Sequence, residues 1–201
     1  MDQARTLRDM SRKITVREES RNEKKGSGPK AIAVASGKGG VGKTNIVSNI
    51  AFALSQQGKK VLIFDADIGL GNIHILLGLV PKYNLLNLLN GEMELGDIVM
   101  EGPGGVSILP AGSGGNRYHG LTRDEKLLLK AELESFQQGY DFILFDIGAG
   151  ISENVLYFCT VSQEIVVVSS SEPTSFADAY AIMKVLSREY SRKKFRLVIN
   201  M

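Results

Sequence analysis

The stretch "SGKGGVGKTN", Ser36 to Asn45, decides how the rest of the chain is to be read. Gly37, Lys38, Gly39, Gly40, Val41, Gly42, Lys43 and Thr44 match the spacing Gly-x-x-x-x-Gly-Lys-[Ser/Thr] of a phosphate-binding loop. Upstream lies "KAIAVAS", an apolar run of strand character, and downstream lies "NIVSNIAFALSQQG", with apolar residues at helical spacing and Gly58 as the stop signal. That order, strand, glycine loop, helix, is the context the motif needs, because loop amides and a helix N-terminus together present positive dipole ends to an anion. Lys43 is the lysine of the motif. Lys38 is a second cation in the same loop, and the motif alone gives it no role.

Outward from the loop, strand-like and helix-like segments alternate. "KVLIFDAD", "GVSILPAG", "YDFILFDIGAG", "EIVVVSS" and "FRLVINM" read as five further strands. A helix is expected over Thr122 to Gln138, opening with the capping box Thr122 and Glu125, and another over Ser175 to Tyr190. Near-continuous apolar strands separated by helices imply a mostly parallel sheet covered on both faces, an α/β doubly wound fold. Ligands on such sheets bind beyond the carboxyl ends of the strands. "DADIGLGN" places Asp65 and Asp67 on the loop beyond the second strand, and "DIGAG" places Asp146 at the equivalent point of the fourth. These carboxylates are either turn residues and helix caps or, gathered beside a phosphate loop, the acids of magnesium and water chemistry. Mg²⁺ keeps most of its waters, so the Thr44 hydroxyl is the expected direct ligand and Asp146 the holder of the metal's waters.

Composition fits one substantial core: 201 residues, 43% hydrophobic and 23% charged. No apolar run approaches the roughly 20 residues that span a bilayer, and no signal-peptide pattern opens the chain, so a cytoplasmic location is expected. The single cysteine, Cys159 in "ENVLYFCTV", excludes an intrachain disulfide and reads as a buried structural thiol. Charge is uneven: residues 1 to 25 hold eight Lys/Arg against five Asp/Glu, and the remainder 16 against 17. The expected organisation is an N-terminal segment 1–21, a linker 22–29 with Gly, Ser and Pro, and a domain 30–201. In the segment, Ala4, Leu7, Met10 and Ile14 form one narrow apolar stripe on a short helix flanked by Arg5, Arg8, Arg12, Lys13 and Arg17. Such a helix is marginal in water and orders only when its stripe is covered, by its own domain or by a partner; the other reading is a solubilising tail.

"KGGVGKTN", "DADIGLGN", "DIGAGIS" and "EPTSFADAYAIMKVL", in that order, resemble the MinD/ParA family of deviant Walker A ATPases. Within it they look most like the flagellar-number regulators of the FlhG/FleN/YlxH type. The resemblance covers nearly the whole chain and implies ATP and Mg²⁺ as cofactors. It implies binding by Gly37 to Asn45, with Asn200 at the position that recognises adenine, and metal support from Thr44, Asp65 and Asp146. It also implies a role for Lys38, which would reach across an ATP-sandwiched homodimer to the nucleotide of the other subunit. Lys38, Lys43 and Asp67 are then the catalytic residues, Asp67 positioning the attacking water. "DQARTLR" carries the DQAxxLR element, so Asp2, Gln3, Ala4, Leu7 and Arg8 are expected to engage the flagellar GTPase FlhF, of the SRP type. Flagellar C-ring proteins and transcription regulators are further expected partners.

Departures accompany the resemblance. His74 stands where relatives carry an acidic residue, and a lone His in "NIHILLG" otherwise reads as structural. His119 falls in a solvated loop, and "SRKKFR" reads as either a solvated helix end or a phosphate-binding patch. The family's amphipathic C-terminal membrane helix has no counterpart before Met201, so membrane binding is expected to be absent or weak. Two other functions compete with the flagellar one. A ParA-like DNA-partitioning ATPase meets a body of net −1, which gives no expectation of DNA binding, and an iron–sulfur carrier meets a single cysteine.

Overall fold

The computed structural model of the chain describes residues 28–112, 120–136 and 139–201. The segment 1–21, most of the linker 22–29, and His119 therefore lie outside the described residues, and the expectations placed on them are neither met nor refused by the fold.

A seven-stranded sheet forms the centre. Its strands are β1 (Lys30–Ser36), β2 (Val61–Asp65), β3 (Met100–Glu101), β4 (Ser107–Leu109), β5 (Phe142–Ala149), β6 (Glu164–Ser169) and β7 (Arg196–Ile199), in the order β3-β4-β2-β5-β1-β6-β7. Every pairing is parallel except β3 with β4. The expected doubly wound α/β fold is observed. The residues of β2, VLIFD, are all buried, as a central parallel strand covered on both faces requires. Their side chains alternate between two cores: Leu62 and Phe64 join one, Val61 and Ile63 the other.

Helices cover both faces. α1 (Lys43–Ser55) buries Val47 and Ala51 against the second core. On the opposite face lie α5 (Arg123–Phe136), α6 (Glu153–Val161) and α7 (Pro173–Glu189), with Leu129, Phe158, Ile182 and Leu186 buried in the first core. Phe64, Phe145 and Phe158 pack there with ring centroids 5.2 to 5.5 Å apart, the edge-on and tilted spacing that aromatic quadrupoles favour. Cys159 is fully buried beside them and burial pushes its thiol up to about 12, so it is the structural thiol expected. Among the described residues no helix is long and apolar enough to cross a membrane.

The differences from expectation are local. Three short helices, α2 (Ile73–Leu76), α3 (Leu85–Leu89) and α4 (Leu95–Ile98), fill a stretch that shows no helical period, because four or five residues complete little more than one turn. α3 is nonetheless capped reciprocally: Asn84 accepts from the Leu86 N–H while Asn87 accepts from the Asn84 N–H. An Asn-x-x-Asn box lies outside the usual Ser/Thr-x-x-Glu signature. The Thr122 and Glu125 box forms as read, with 2.8 and 3.2 Å bonds in the two directions. α7 begins two residues earlier than expected, at Pro173, which suits a first helical position because its missing N–H is an orphan there anyway. "SRKKFR" is partly tied down: Arg192 donates to the Ser162 carbonyl, and Arg196 pairs with Glu164 at 2.7 Å.

Candidate nucleotide site

The loop between β1 and α1 has the backbone a phosphate cradle needs. Gly40 and Gly42 take φ of 78° and 84°, in the left-handed region that favours glycine. Gly37 is required for a different reason. A Cβ there would stand 2.2 Å from the backbone carbon of Asp178, so the first turn of the loop lies directly on α7. Gly37→Ala is expected to displace α7 from the loop, at an overpacking cost of about 1–3 kcal/mol, and to lower the melting temperature together with nucleotide affinity. An unchanged melt and affinity would mean that this close approach is not needed.

Lys43, the first residue of α1, turns its ammonium toward Asp146 on β5, 4.0 Å from Oδ1, and both side chains are largely shielded from solvent. Asp146 Oδ1 is buried without a hydrogen-bond partner. Its carboxyl is raised above the usual carboxylate range by burial, opposed by the Lys43 charge and the Thr44 hydroxyl. Asp65 stands directly opposite Asp146 in the register of β2 and β5. Burial and then the Asp146 charge push Asp65 up to about 7, while its oxygens accept from the Asp67 N–H at 3.2 Å and the Ile73 N–H at 3.4 Å. Both aspartates are strand residues rather than loop residues. β5 runs on to Ala149, because its tail stays paired with Ser36 across an irregularity in the ladder. Only Asp67 lies on the loop expected for it, half-buried, with its Oδ1 2.8 Å from where a Cβ on Gly148 would stand.

Lys38 is placed differently from Lys43. Its ammonium pairs with Glu172 and lies 3.5 Å from the Thr174 hydroxyl, at the start of α7 in the same chain. Both partners of the ion pair are substantially exposed, 42% and 61%, and such pairs contribute only about 0–1 kcal/mol, so the contact is readily exchanged for another anion. Asn200 is firmly seated after β7: its side-chain amide donates to the Val41 carbonyl at 3.0 Å and its N–H to the Ser169 carbonyl at 2.9 Å. Asn45 is the third residue of α1, and Thr44, the second, has its carbonyl capped by the Ser48 hydroxyl. His74 is buried, its Nδ1 without a hydrogen-bond partner, and takes a structural position in α2.

The residues fit a nucleotide with magnesium. The orphaned Asp146 oxygen and the neighbouring Lys43 ammonium are groups left poised for an ion and an anion, and the amides at the start of α1 have no side-chain cap. Among the described residues no set of three or more His, Cys, Asp or Glu is arranged to hold a metal alone. That suits Mg²⁺, which takes few protein ligands and completes its shell with water and phosphate oxygens. Reading the sequence missed Glu172 and Thr174 as the contacts of Lys38, and Gly71 and Gly148 as the gaps that admit Asp65 and Asp67. The glycine signal was present, since Gly148 follows Asp146 by two residues; the contact of Lys38 had none, lying 134 residues away in the chain.

Comparison with known proteins agrees with this geometry. The family profile described as AAA domain matches residues 29–199. The chain is 42% identical over 170 residues to the antiactivator FleN of Pseudomonas aeruginosa, covering 85% of this chain and 61% of FleN. It is 37% identical over 172 residues to the flagellum site-determining protein YlxH of Helicobacter pylori, covering 86% and 58%. Among solved structures, the septum site-determining protein MinD complexed with Mg-ADP from Pyrococcus horikoshii superposes with a TM-score of 0.67 at 26% identity, covering 84% of this chain and 68% of that one. The chain thus spans about three fifths of the length of these two curated relatives.

Proposed function

The chain belongs to the AAA domain family of P-loop proteins and, within it, to the MinD/ParA group of ATPases with the FleN and YlxH regulators; from this premise we propose that it is a magnesium-dependent ATPase whose ATP-bound dimer acts as a switch on flagellar number or assembly. The observation that carries the chemistry is the buried Asp146 oxygen that no hydrogen bond satisfies, facing the Lys43 ammonium at 4.0 Å at the mouth of the glycine loop. A carboxylate so placed costs folding free energy unless a ligand uses it.

Gly37 to Asn45 bind the phosphates through loop amides and the α1 N-terminus, and Lys43 neutralises charge on the transferred group. Thr44 contributes its hydroxyl to the metal, Asp146 holds the metal's waters, and Asp65 supports both from below while fixing the loop through the Asp67 and Ile73 amides. Bound Mg²⁺ supplies neutralisation of the β- and γ-phosphate oxygens. Asp67 orients the attacking water. Lys38 leaves its exposed contact with Glu172 to complete the site of a second copy, where a desolvated charge-assisted contact to phosphate is stronger than an exposed ion pair. Asn200 offers the adenine amino group its carboxamide oxygen, its nitrogen being used by Val41.

The flagellar assignment rests on the words flagellum site-determining in the name of one curated relative, and the mode of action on the N-terminal element "DQARTLR". Asp2, Gln3, Ala4, Leu7 and Arg8 engage an FlhF-type SRP GTPase and stimulate it. C-ring or transcription-regulator proteins are contacted by the ATP-bound dimer. Deleting residues 1–25 is expected to leave nucleotide binding unchanged and to remove stimulation of that GTPase. Full stimulation by the shortened chain would rule out the segment as effector.

A further inference from the structure

We propose that the basic N-terminal segment, residues 1–21, docks on its own domain, in an acidic groove with an apolar floor walled by α5 and the residues around α3 and α4. None of the groove's lining residues belongs to the phosphate-loop site, so the docking stands apart from the ATPase reading.

The groove measures about 470 Å³. Leu88, Met93 and Leu128 give it an apolar floor, with Leu128 38% exposed. Four carboxylates surround that floor, Glu92, Glu94, Asp97 and Glu132, and among the described residues that line it there is no lysine or arginine. Glu92 is fixed in place, accepting bonds from Asn87 at 2.6 Å and from Asn90 at 3.1 Å. Leu128 and Glu132 stand one turn apart on α5, so one helix face supplies both an apolar contact and a charge.

The occupant is indicated by complementarity and by the tether. Ala4, Leu7, Met10 and Ile14 make a narrow apolar stripe, matched in width to a floor of three side chains, and Arg5, Arg8, Arg12, Lys13 and Arg17 flank it. The stripe runs over eleven residues, Ala4 to Ile14, about 15 Å end to end if helical. The chain enters the domain at Pro29, which lines a cleft together with Lys130, Leu133 and Glu134 of the same helix α5 that walls the groove. Eight Cα-to-Cα steps link position 21 to Pro29 and can reach about 26–29 Å when extended, more than the roughly 10–12 Å diameter of a helix that they must pass. Tethering makes the docking intramolecular, with an effective concentration on the order of millimolar, so an affinity of about that size, shared between the apolar stripe and several screened ion pairs, suffices to occupy the groove. Docked in this way, the segment is covered, and any partner that uses it must first displace it from the groove.

The test uses the full chain carrying Leu7→Cys with Leu128→Cys, against a control carrying Leu7→Cys with Ile75→Cys; Ile75 is 63% exposed on α2. Cys159, buried and with its thiol pushed up to about 12, does not compete for oxidation. With dilute oxidant, an intrachain disulfide is expected to form about tenfold or more faster in the groove pair than in the control, because the tether acts on both pairs alike and only docking holds position 7 against position 128. Glu94→Lys with Glu132→Lys should remove that difference. A measurement free of introduced cysteines uses trypsin on the otherwise native chain: cleavage after Arg5, Arg8 and Arg12 should be faster in Glu132→Lys than in wild type. Equal disulfide rates in the two pairs, a disulfide between chains rather than within one, or cleavage rates indifferent to Glu132→Lys would each overturn the docking.

Discussion

Asp67→Ala is expected to bind ATP within a few-fold of wild type and to lose turnover by about 10²- to 10⁴-fold, the range for removing a group that positions or deprotonates the nucleophile. The separation follows from where the side chain lies. Asp67 makes no part of the glycine loop; it stands on the loop after β2, over Gly148 near the end of β5. Binding is carried by the amides of Gly37 to Asn45 and by Lys43, which the substitution leaves alone. An interaction made with the attacking water matters in the transition state rather than in the ground state, so kcat falls and affinity does not. Phosphate release and a nucleotide titration on the same preparation read the two quantities. Turnover within about threefold of wild type would remove Asp67 from the catalytic role, since even a modest general-base contribution exceeds that.

Lys38→Ala should bind ATP through Lys43, remain monomeric and hydrolyse poorly, and it should regain activity when mixed with Asp67→Ala. In the mixed dimer the Asp67→Ala subunit lends its Lys38 to the partner's site, which keeps its own Asp67, so one complete site is restored from two inactive proteins. A lysine serving only its own nucleotide permits no rescue, because each chain then lacks one essential group at its own site. The contact of Lys38 with Glu172 bears on the outcome. It shows the ammonium turned toward α7 rather than toward Lys43, and, being an exposed ion pair, it offers little resistance to exchange. Mixtures shown by tagged co-purification to contain heterodimers, yet with no phosphate release, would sink the cross-subunit role.

The order of strands and helices was legible because β1, β2, β5 and β6 are buried on both faces, which makes each an apolar run without alternation. The glycine loop and the three aspartates were legible because their spacing is local. What escaped was either too short to show a period, as with α2, α3, α4 and the two-residue β3, or brought together from distant parts of the chain. Asn200 reaches Val41 across 159 residues, and Glu172 reaches Lys38 across 134. Neither contact has a sequence signature, because each depends on which strands are neighbours in the sheet: β7 beside β6, and β6 beside β1. The strand status of Asp65 and Asp146 also escaped, since a carboxylate ending an apolar run reads as the start of a loop, whereas here the ladder pairs the two residues directly.

A dimer made by ATP and undone by its hydrolysis is tested most directly by the oligomeric state of the Asp67→Ala chain in magnesium with ATP and with ADP, read by light scattering on a sizing column. The hydrolysis block holds the ATP state long enough to be weighed. Twice the chain mass is expected with ATP and a single chain mass with ADP. A single chain mass with both nucleotides, where a titration shows ATP bound, or a dimer indifferent to which nucleotide is present, would contradict the switch.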